Sequence, residues 1–384
     1  MDFERVHLRF ASSPRWLHQR AGTFFYRRVN WHQASSTVIS GTTRQRVVHV
    51  VMTEDSTQHK AKIALGKVAL VALGGNALLQ RGEDPTSENQ TRHAREAAKS
   101  LAALVREEGY SLCVTHGNGP QIGLLALKAP EELLDVLGAE SEGQIGYLLE
   151  CELSNALPDA EVVSMLTQVL VDPKDPAFQS PSKFIGPMYS KEEAERLAKE
   201  KGFEVKPDGD KGYRRVVASP QPKQVLEARA IQVLVKEGIL CICAGGGGIP
   251  VALEQEEGAT QWRRHGVEAV IDKDAASALL AAQIKADILL LLTDAPAVFD
   301  PQKWPKEKLP VPSPISPDEL LQLGSFAGGS MGPKVQAACK FVQETGRPAG
   351  IGSMEDAVGD LVKRRNAAGV YLSTSSSGEP SRGF

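Results

Sequence analysis

The sequence predicts an α/β protein: a three-layer α/β/α open sandwich with a mainly parallel central sheet and a small protruding subdomain. From residue 66 onward, short apolar runs typical of buried strands alternate with stretches of helical periodicity. Three of the apolar runs end in clustered glycines, and one proline- and glycine-rich interval, residues 172–222, interrupts the alternation. Regular alternation of strands and helices is typical of a parallel sheet covered by helices on both faces.

The individual elements follow from the spacing of the apolar residues. Apolar runs bounded by glycine or proline predict strands, and apolar residues recurring every three to four positions predict helices. The predicted strands are 68–73, 112–115, 162–170, 239–244, 287–293 and 349–352. The predicted helices are 91–108, one beginning near Gln121, an amphipathic stretch at 142–157, and 224–237, 274–283 and 331–344.

Composition bounds the class of protein. The chain has 384 residues, 42% hydrophobic and 24% charged, as in an ordinary soluble globular protein. No apolar run approaches the roughly 18–20 residues of a membrane span, so no membrane role is expected. The five cysteines are odd in number and lack a CxxC spacing, which favours buried thiols in a reducing compartment over disulfides or zinc.

Positive charge is concentrated near the amino terminus. Residues 5–53 hold eight arginines and no acidic residue. Such an Arg-rich, acid-poor leader fits an organellar transit peptide, and the alternatives are a disordered basic arm or an untranslated stretch upstream of Met52. Residues 1–63 are therefore expected to be an amino-terminal extension. The protein is expected in a mitochondrion or plastid if this leader is a transit peptide, and otherwise in the cytoplasm. The remainder is acidic and has no recognised basic motif, so no nucleic-acid partner is expected.

The interval 172–222 is predicted to be a lid or protruding subdomain. It is too long for an ordinary connection, and it carries apolar residues such as Phe178, Phe184 and Tyr189 that a free linker would lack. A disordered insertion is the alternative. The main domain is then expected to span 64–373, followed by a disordered tail at 374–384 rich in serine.

Three glycine turns are candidate anion-binding sites. In an open parallel sheet, ligands bind outside the carboxyl ends of the strands, where glycine lets the main chain approach a phosphate. Each single turn also has a purely steric explanation, but three in one chain favour a shared functional site. The candidate residues are Gly74, Gly75 and Asn76; Gly117, Asn118 and Gly119; and Gly246 and Gly247 within the run Gly245 to Gly248.

Two familiar phosphate-binding motifs are absent. The sequence has no GxxxxGK[ST], and "GGSMGPK" has the wrong spacing between its glycines and Lys334. It also has no clean GxGxxG, because "GNGPQIG" is one residue too long and "GGGGIP" places Pro250 at the last position. A P-loop enzyme is therefore excluded, and a dinucleotide-dependent oxidoreductase is disfavoured.

Three lysines are candidates to complement a transferring phosphoryl group, whose charge is spread over three oxygens. Lys183 lies in the excursion, Lys273 lies between two aspartates in "IDKD" at a strand-to-helix junction, and Lys334 lies in the first turn of a helix. Each could instead be a solvated surface lysine. His116 is a candidate general base, with a packing histidine as the alternative. Asp294 follows a very apolar strand and is a candidate nucleoside contact, with a turn cap as the alternative.

Several motifs in order resemble the carbamate kinase branch of the amino acid kinase family. The matching stretches span about residues 66–372 and include "VALGGNAL", "THGNGPQIG", "GQIGYLLECELSNAL", "PSKFIGP", "CAGGGGIPV", "GVEAVIDKDAASALLA" and "GSMGPK". The resemblance implies the sandwich fold with a protruding subdomain, and a homodimer. It also implies phosphoryl transfer between ATP and carbamate to give ADP and carbamoyl phosphate, run mostly toward ATP in arginine and carbamoyl phosphate catabolism.

The resemblance also implies roles for the candidate residues. Lys183 is the lysine that the subdomain brings over the site, Lys273 bridges donor and acceptor, Asp274 holds the lysines, and Lys334 contacts the nucleotide phosphates. The glycine turns bind anions, Asp294 lies near the nucleoside, and Mg²⁺ is held largely by phosphates and water rather than by protein ligands. A catalytically silent nucleotide or carbamoyl-phosphate sensor, or a kinase for another small acid, remain the alternatives.

Overall fold

The computed structural model describes residues 66–75, 78–79, 83–84, 86–129, 131–209, 212–255, 261–295, 298–302, 310–326, 331–354 and 370–374, together with four strand residues of the amino-terminal unit. That unit, Met1–Gln58, contains two short antiparallel strands, β1 (Ala34–Ser35) and β2 (Val48–His49). The second unit, His59–Phe384, contains every other element. Apart from those strand residues and Thr374, the predicted leader 1–63 and tail 374–384 lie outside the described residues.

A seven-stranded sheet forms the centre of the second unit, in the order β16-β15-β14-β3-β4-β11-β5. All neighbouring strands are parallel except the edge pair β15 and β16, which confirms the mainly parallel sheet. Numbered in chain order, the strands are β3 (Lys67–Leu73), β4 (Tyr110–His116), β5 (Glu161–Ser164), β11 (Ile239–Ile242), β14 (Ile288–Thr293), β15 (Ala349–Ser353) and β16 (Val370–Leu372).

Helices cover both faces of this sheet, because its strands are apolar on both sides. The helices are α1 (Ser87–Glu108), α2 (Gly119–Lys128), α3 (Leu134–Ala156), α4 (Lys191–Lys201), α5 (Ala228–Lys236), α6 (Lys273–Gln283), α7 (Pro317–Gln322) and α8 (Met331–Thr345). On one face, Leu70 packs in a core with residues of α6 and α8, such as Phe341. On the other, Val71 packs in a second core with residues of α1 and α3, such as Leu101. The three-layer sandwich is therefore confirmed.

Two predicted elements were wrong. The strand predicted at 162–170 is two strands, since β5 belongs to the central sheet whereas β6 (Gln168–Val171) belongs to a second, four-stranded sheet. The helix predicted at 224–237 begins only at Ala228, because the preceding residues form β10 (Pro222–Val225), which pairs with β6. The apolar pattern is the same in both sheets, so it could not show where the chain changes from one to the other.

The second sheet has the order β10-β6-β12-β13 and includes a hairpin that was not predicted. Strand β12 (Ile249–Gln255) leaves the last glycine turn and pairs in parallel with β6 and antiparallel with β13 (Trp262–Gly266). No helix in the described part of the chain is both long enough and apolar enough to cross a membrane.

The predicted excursion contains a third sheet with its own small core. Strands β7 (Lys183–Tyr189), β8 (Val205–Pro207) and β9 (Tyr213–Val217) pair antiparallel in the order β7-β9-β8. Helix α4 packs on them through a small apolar cluster that includes Leu197 and Phe203. A separate cluster at the base joins Ile185 and Val217 to Ile122 of α2 and to Val270. We call the three strands and α4 the subdomain, and this second cluster its root.

Candidate active site

The three glycine turns meet in space, at contacts that leave no room for side chains. A Cβ atom added to Gly117 would lie 2.8 Å from the amide nitrogen of Gly75. One added to Gly245 would lie 2.2 Å from the His116 ring, and one added to Gly246 would lie 2.1 Å from the Asn118 amide. The first turn therefore packs on the second, and the second on the third. The carboxyl ends of β3, β4 and β11 lie together at one place, where the sequence predicts a shared site.

Several amides of these turns are already engaged. Gly117 N donates to the carbonyl of Leu73 at 3.0 Å, and Gly247 N donates to the carbonyl of Ala244 at 3.1 Å. Both positions also require glycine independently of any ligand, because an added Cβ atom would lie 2.8 Å from Gly75 N at Gly117 and 2.6 Å from the Ile271 carbonyl oxygen at Gly247. The case for an anion-binding site consequently rests more on the charged side chains around the turns than on the glycines themselves.

Helix α6 begins at the site and presents two of the predicted residues there. Asp272 caps the helix, because its Oδ1 accepts hydrogen bonds from the amides of Asp274 and Ala275 at 3.0 and 3.1 Å. Lys273 reaches back to the sheet, and its Nζ donates to the carbonyl of Leu73 at 3.0 Å. Leu73 is the residue immediately before the first glycine turn, so Lys273 lies at the entrance to that turn.

Asp274 lies between two lysines from different helices. Its Oδ1 is 3.0 Å from Lys273 Nζ, and its Oδ2 accepts a hydrogen bond from Lys334 Nζ, on α8, at 2.9 Å. The Asp274 side chain is 6% exposed and that of Lys334 is 4% exposed, so this is a buried ionic cluster. We refer to Lys273, Asp274 and Lys334 as the buried triad.

Burial and pairing set the protonation of the triad. Burial disfavours the carboxylate, but the two lysines overcome it and hold the pKa of Asp274 at about 2. Burial, reinforced by the positive charge of Lys334 and opposed by Asp274, lowers the pKa of Lys273 to about 8. Asp274 is therefore ionised at neutral pH, and Lys273 changes charge just above it.

Lys183 approaches the same helix terminus from the subdomain. Its Nζ is 2.6 Å from Asp272 Oδ2, and both side chains are partly exposed, at 32% and 24%. The five side chains at the start of α6 comprise three lysines and two aspartates, an excess of one positive charge. An anionic group bound here would meet ammonium groups from three different elements, which is the arrangement that stabilises a phosphoryl group in transfer.

Three residues that were not identified from the sequence support the second and third glycine turns. Glu142 of α3 accepts hydrogen bonds from Gly245 N and Thr167 N at 2.9 and 3.2 Å, and Thr167 Oγ1 accepts from Ala244 N. Ser141 accepts a hydrogen bond from the side chain of Asn118 at 2.8 Å. Burial raises the pKa of Glu142 to about 8, although the two amide donors favour its carboxylate. Ser141 and Glu142 lie on the buried face of α3, where the helical periodicity masked them, and Thr167 lies in the loop between β5 and β6.

The remaining predicted residues differ in their placement. His116 ends β4 fully buried, and burial lowers its pKa to about 4, which favours the packing interpretation over the general base. Asp294 follows β14, is exposed and accepts a hydrogen bond from Thr293 Oγ1. Gly119 begins α2, next to the second turn. Asn76 lies outside the described residues.

Comparisons with known proteins agree with one another. Residues 67–353 match the model of the amino acid kinase family. The carbamate kinase of Haemophilus influenzae is 48% identical over 312 residues, which cover 79% of this chain and 97% of that protein. The structure of carbamate kinase from Giardia lamblia bound to citric acid is 38% identical, with a TM-score of 0.72, covering 80% of this chain and 99% of that one. A structure of the same enzyme bound to AMP-PNP has a TM-score of 0.68 at 38% identity, covering 80% and 98%.

Proposed function

The chain belongs to the amino acid kinase family, and from that premise we propose that it is a carbamate kinase. The reaction is the reversible transfer of a phosphoryl group between ATP and carbamate, giving ADP and carbamoyl phosphate. Relatives named carbamate kinase match most of the chain, and nearly all of their own length is covered. The observation that carries the proposal is the buried triad at the meeting point of the glycine turns.

The geometry of the lysines supports a division of labour in the transfer. Lys273 sits beside the first glycine turn and Lys334 on the opposite side of Asp274, so the two ammonium groups can stabilise negative charge on different sides of the moving phosphoryl group. Asp274 opposes the loss of the Lys273 proton and holds both ammonium groups in place. Lys183 adds a third positive charge from the subdomain. No general base is required, because the attacking oxygen of carbamate is already anionic.

We assign the nucleotide phosphates to Lys334 and the nucleoside to the segment after β14, near Asp294. The Giardia relative binds AMP-PNP, an ATP analogue, which supports ATP and ADP as the nucleotide substrates. Gly74, Gly75, Asn76, Gly117, Asn118, Gly119, Gly246 and Gly247 are the proposed phosphate- and substrate-binding turns. The amides of Gly117 and Gly247 are the weakest members of this set, because each already has a backbone partner.

Magnesium is the proposed metal, bound mainly through phosphates and water. Among the described residues, no group of three or more His, Cys, Asp or Glu side chains is placed to hold a metal ion. The two carboxylates at the start of α6 are already paired with lysines. The described residues therefore fit a magnesium ion that is ligated by the nucleotide phosphates and water, and they do not form a site of protein ligands. When bound, Mg²⁺ would neutralise charge on the nucleotide phosphates.

The assembly and cellular role are further parts of the proposal. We propose a homodimer, supported by exposed apolar side chains at the N-cap of α3, on α3 itself and in the loop after β5, namely Leu133, Val136, Tyr147 and Leu166. We also propose net flux toward ATP in arginine and carbamoyl phosphate catabolism. The Arg-rich leader supports import into a mitochondrion or plastid.

The test is ATP formation by the full chain from ADP, Mg²⁺ and carbamoyl phosphate. In parallel, ATP would be offered with acetylglutamate, glutamate, aspartate or UMP as acceptor. We expect rapid ATP synthesis and no turnover of the other acceptors. Binding of ADP or carbamoyl phosphate without turnover would point to a sensor instead, and turnover of another acceptor would show the substrate assignment to be wrong.

A further inference from the structure

Asp272 uses its two carboxylate oxygens for two different elements. Oδ1 accepts the amides of Asp274 and Ala275 and so caps α6. Oδ2 accepts the Lys183 ammonium at 2.6 Å. An exposed ion pair usually gains little, because ordering two flexible side chains offsets the attraction. Here the cap has already fixed one partner, so Oδ2 occupies a defined position to which Lys183 can be held.

The backbone around this pair converges on the same place. Lys183 is the first residue of β7 and lies opposite Val217 of β9, and Ser182 N donates to the Val217 carbonyl at 3.1 Å. The next residue, Ala218, accepts a hydrogen bond at 2.9 Å from the amide of Val270, two residues before Asp272. Lys183 and Asp272 thus project from two backbones that are hydrogen-bonded at the root of the subdomain.

We infer that Asp272 is a positioning residue that holds Lys183 of the subdomain over the start of α6, where the other two lysines lie. The inference rests on the proposed function, in that Lys183 acts on the phosphoryl group. Asp272 touches no reacting atom in this scheme. It sets the distance between a lysine carried by a separate sheet and a site built on the central sheet, and errors of about 1 Å in such distances cost on the order of 100-fold in rate.

Three substitutions separate the two tasks of this carboxylate. Asp272→Asn and Asp272→Ser both keep a side-chain oxygen that can cap α6. Asp272→Asn removes the negative charge, and Asp272→Ser removes the charge and is also too short to contact Lys183. Asp272→Ala removes both tasks. In the full chain we expect all three to lower kcat for ATP formation by about 10- to 100-fold, with KM for ADP within about twofold of wild type. Only Asp272→Ala should also lower Tm, by ~2 °C.

A double-mutant cycle tests whether Asp272 acts through Lys183. In a Lys183→Met background, Asp272→Asn should change kcat by less than about twofold, because the lysine that it positions is gone. Multiplication of the two losses would show that Asp272 acts independently of Lys183 and would overturn the inference. Wild-type kcat in Asp272→Asn, or in Lys183→Met itself, would overturn it as well.

A readout without catalysis separates this inference from the proposed function. The rate of acetylation of Lys183 by acetic anhydride, followed by mass spectrometry, should rise severalfold in Asp272→Asn, whereas exposed Lys199 on α4 should be unaffected. An unchanged Lys183 rate would overturn the positioning role, whatever the activity. A wild-type protein that makes no ATP but shows the expected change at Lys183 would overturn the proposed function alone.

Discussion

The buried triad and the pair formed by Lys183 and Asp272 begin at the same helix terminus, yet they are built differently. In the triad, one aspartate is shared by two lysines from α6 and α8, and all three side chains are nearly inaccessible to water. In the pair, one lysine from the subdomain meets one aspartate at the surface. The triad joins two helices that pack on the same face of the central sheet, whereas the pair joins the sheet of the subdomain to the start of α6.

The two arrangements differ in how firmly they hold their positive charges in place. A buried charge that loses its partner is strongly destabilising, so the triad holds its geometry for as long as the protein is folded. A partly exposed pair contributes little to folding, so it can break and re-form without unfolding. We therefore expect the triad to affect both stability and turnover, and Lys183 to affect turnover alone.

Asp274→Asn should have the largest effect, because it leaves two buried lysines without a counter-charge. We expect kcat to fall by more than about 1000-fold and the free energy of unfolding to fall by about 3 kcal/mol. Steady-state ATP formation and urea denaturation measure the two quantities. The matched control is Asp272→Asn, which should lose less than about 1 kcal/mol. Equal losses of stability in the two variants would show that the buried triad and the partly exposed pair contribute equally to folding.

Lys183→Met should come next, with a loss confined to turnover. We expect kcat to fall by about 100- to 1000-fold, because a charge that stabilises the transition state is gone. The free energy of unfolding should stay within about 0.5 kcal/mol of wild type. Lys199→Met on the same subdomain should leave both quantities unchanged. A large loss of stability in Lys183→Met would place this lysine with the triad.

Gly123→Ala tests the root of the subdomain. An added Cβ would lie 2.1 Å from Gly186 Cα of β7, so helix α2 and the subdomain must separate slightly. We expect a loss of about 1–3 kcal/mol in the free energy of unfolding and a fall of about tenfold in kcat, as Lys183 moves with β7. Gly138→Ala in α3 has no heavy atom within 4 Å and should be neutral or stabilising by up to ~1 kcal/mol.

The smallest effect is a pH dependence of wild-type activity. Because the pKa of Lys273 is lowered to about 8, its ammonium is lost as the pH rises through that value. We expect kcat/KM for carbamoyl phosphate to be about fourfold lower at pH 8.5 than on its plateau. The corresponding fall in kcat should occur at higher pH, because a bound phosphate stabilises the Lys273 ammonium in the enzyme–substrate complex. The free energy of unfolding should change in the opposite direction and rise between about pH 8 and 10.5. In this range Lys273 is protonated in the unfolded chain but not in the folded one.

The sequence was sufficient to locate six of the seven strands of the central sheet, but not the edge strand β16 or the changes between sheets. Apolar runs with glycines at their ends located β3, β4 and β11, because strands buried on both faces are apolar throughout. The same rule joined β5 and β6 into one strand, since a run of β-branched residues looks alike in either sheet. Sheet membership depends on long-range pairing, which a local pattern does not record.

The sequence identified the charged residues at the start of α6, but not the partner of Lys183 or the residues that support the second and third glycine turns. Placing Lys273 between two aspartates suggested that a carboxylate holds it, and the structure pairs Asp274 with the two buried lysines and Asp272 with Lys183. Glu142 could not be found from the sequence, because a buried glutamate on an amphipathic helix looks like a solvated one. Its contacts with Gly245 and Thr167 depend on elements far apart in the chain.

The third glycine turn has a consequence for local dynamics. The amides of Gly245, Gly247 and Gly248 donate to Glu142, Ala244 and Gly245 respectively, and the residues of the turn are buried. Hydrogen exchange at these amides should therefore be as slow as in the central strands, at rates set by opening of the whole domain. A run of four glycines is the most flexible kind of sequence in an unfolded chain, but here its hydrogen bonds hold it in one conformation. Binding of a ligand to this turn therefore costs little conformational entropy.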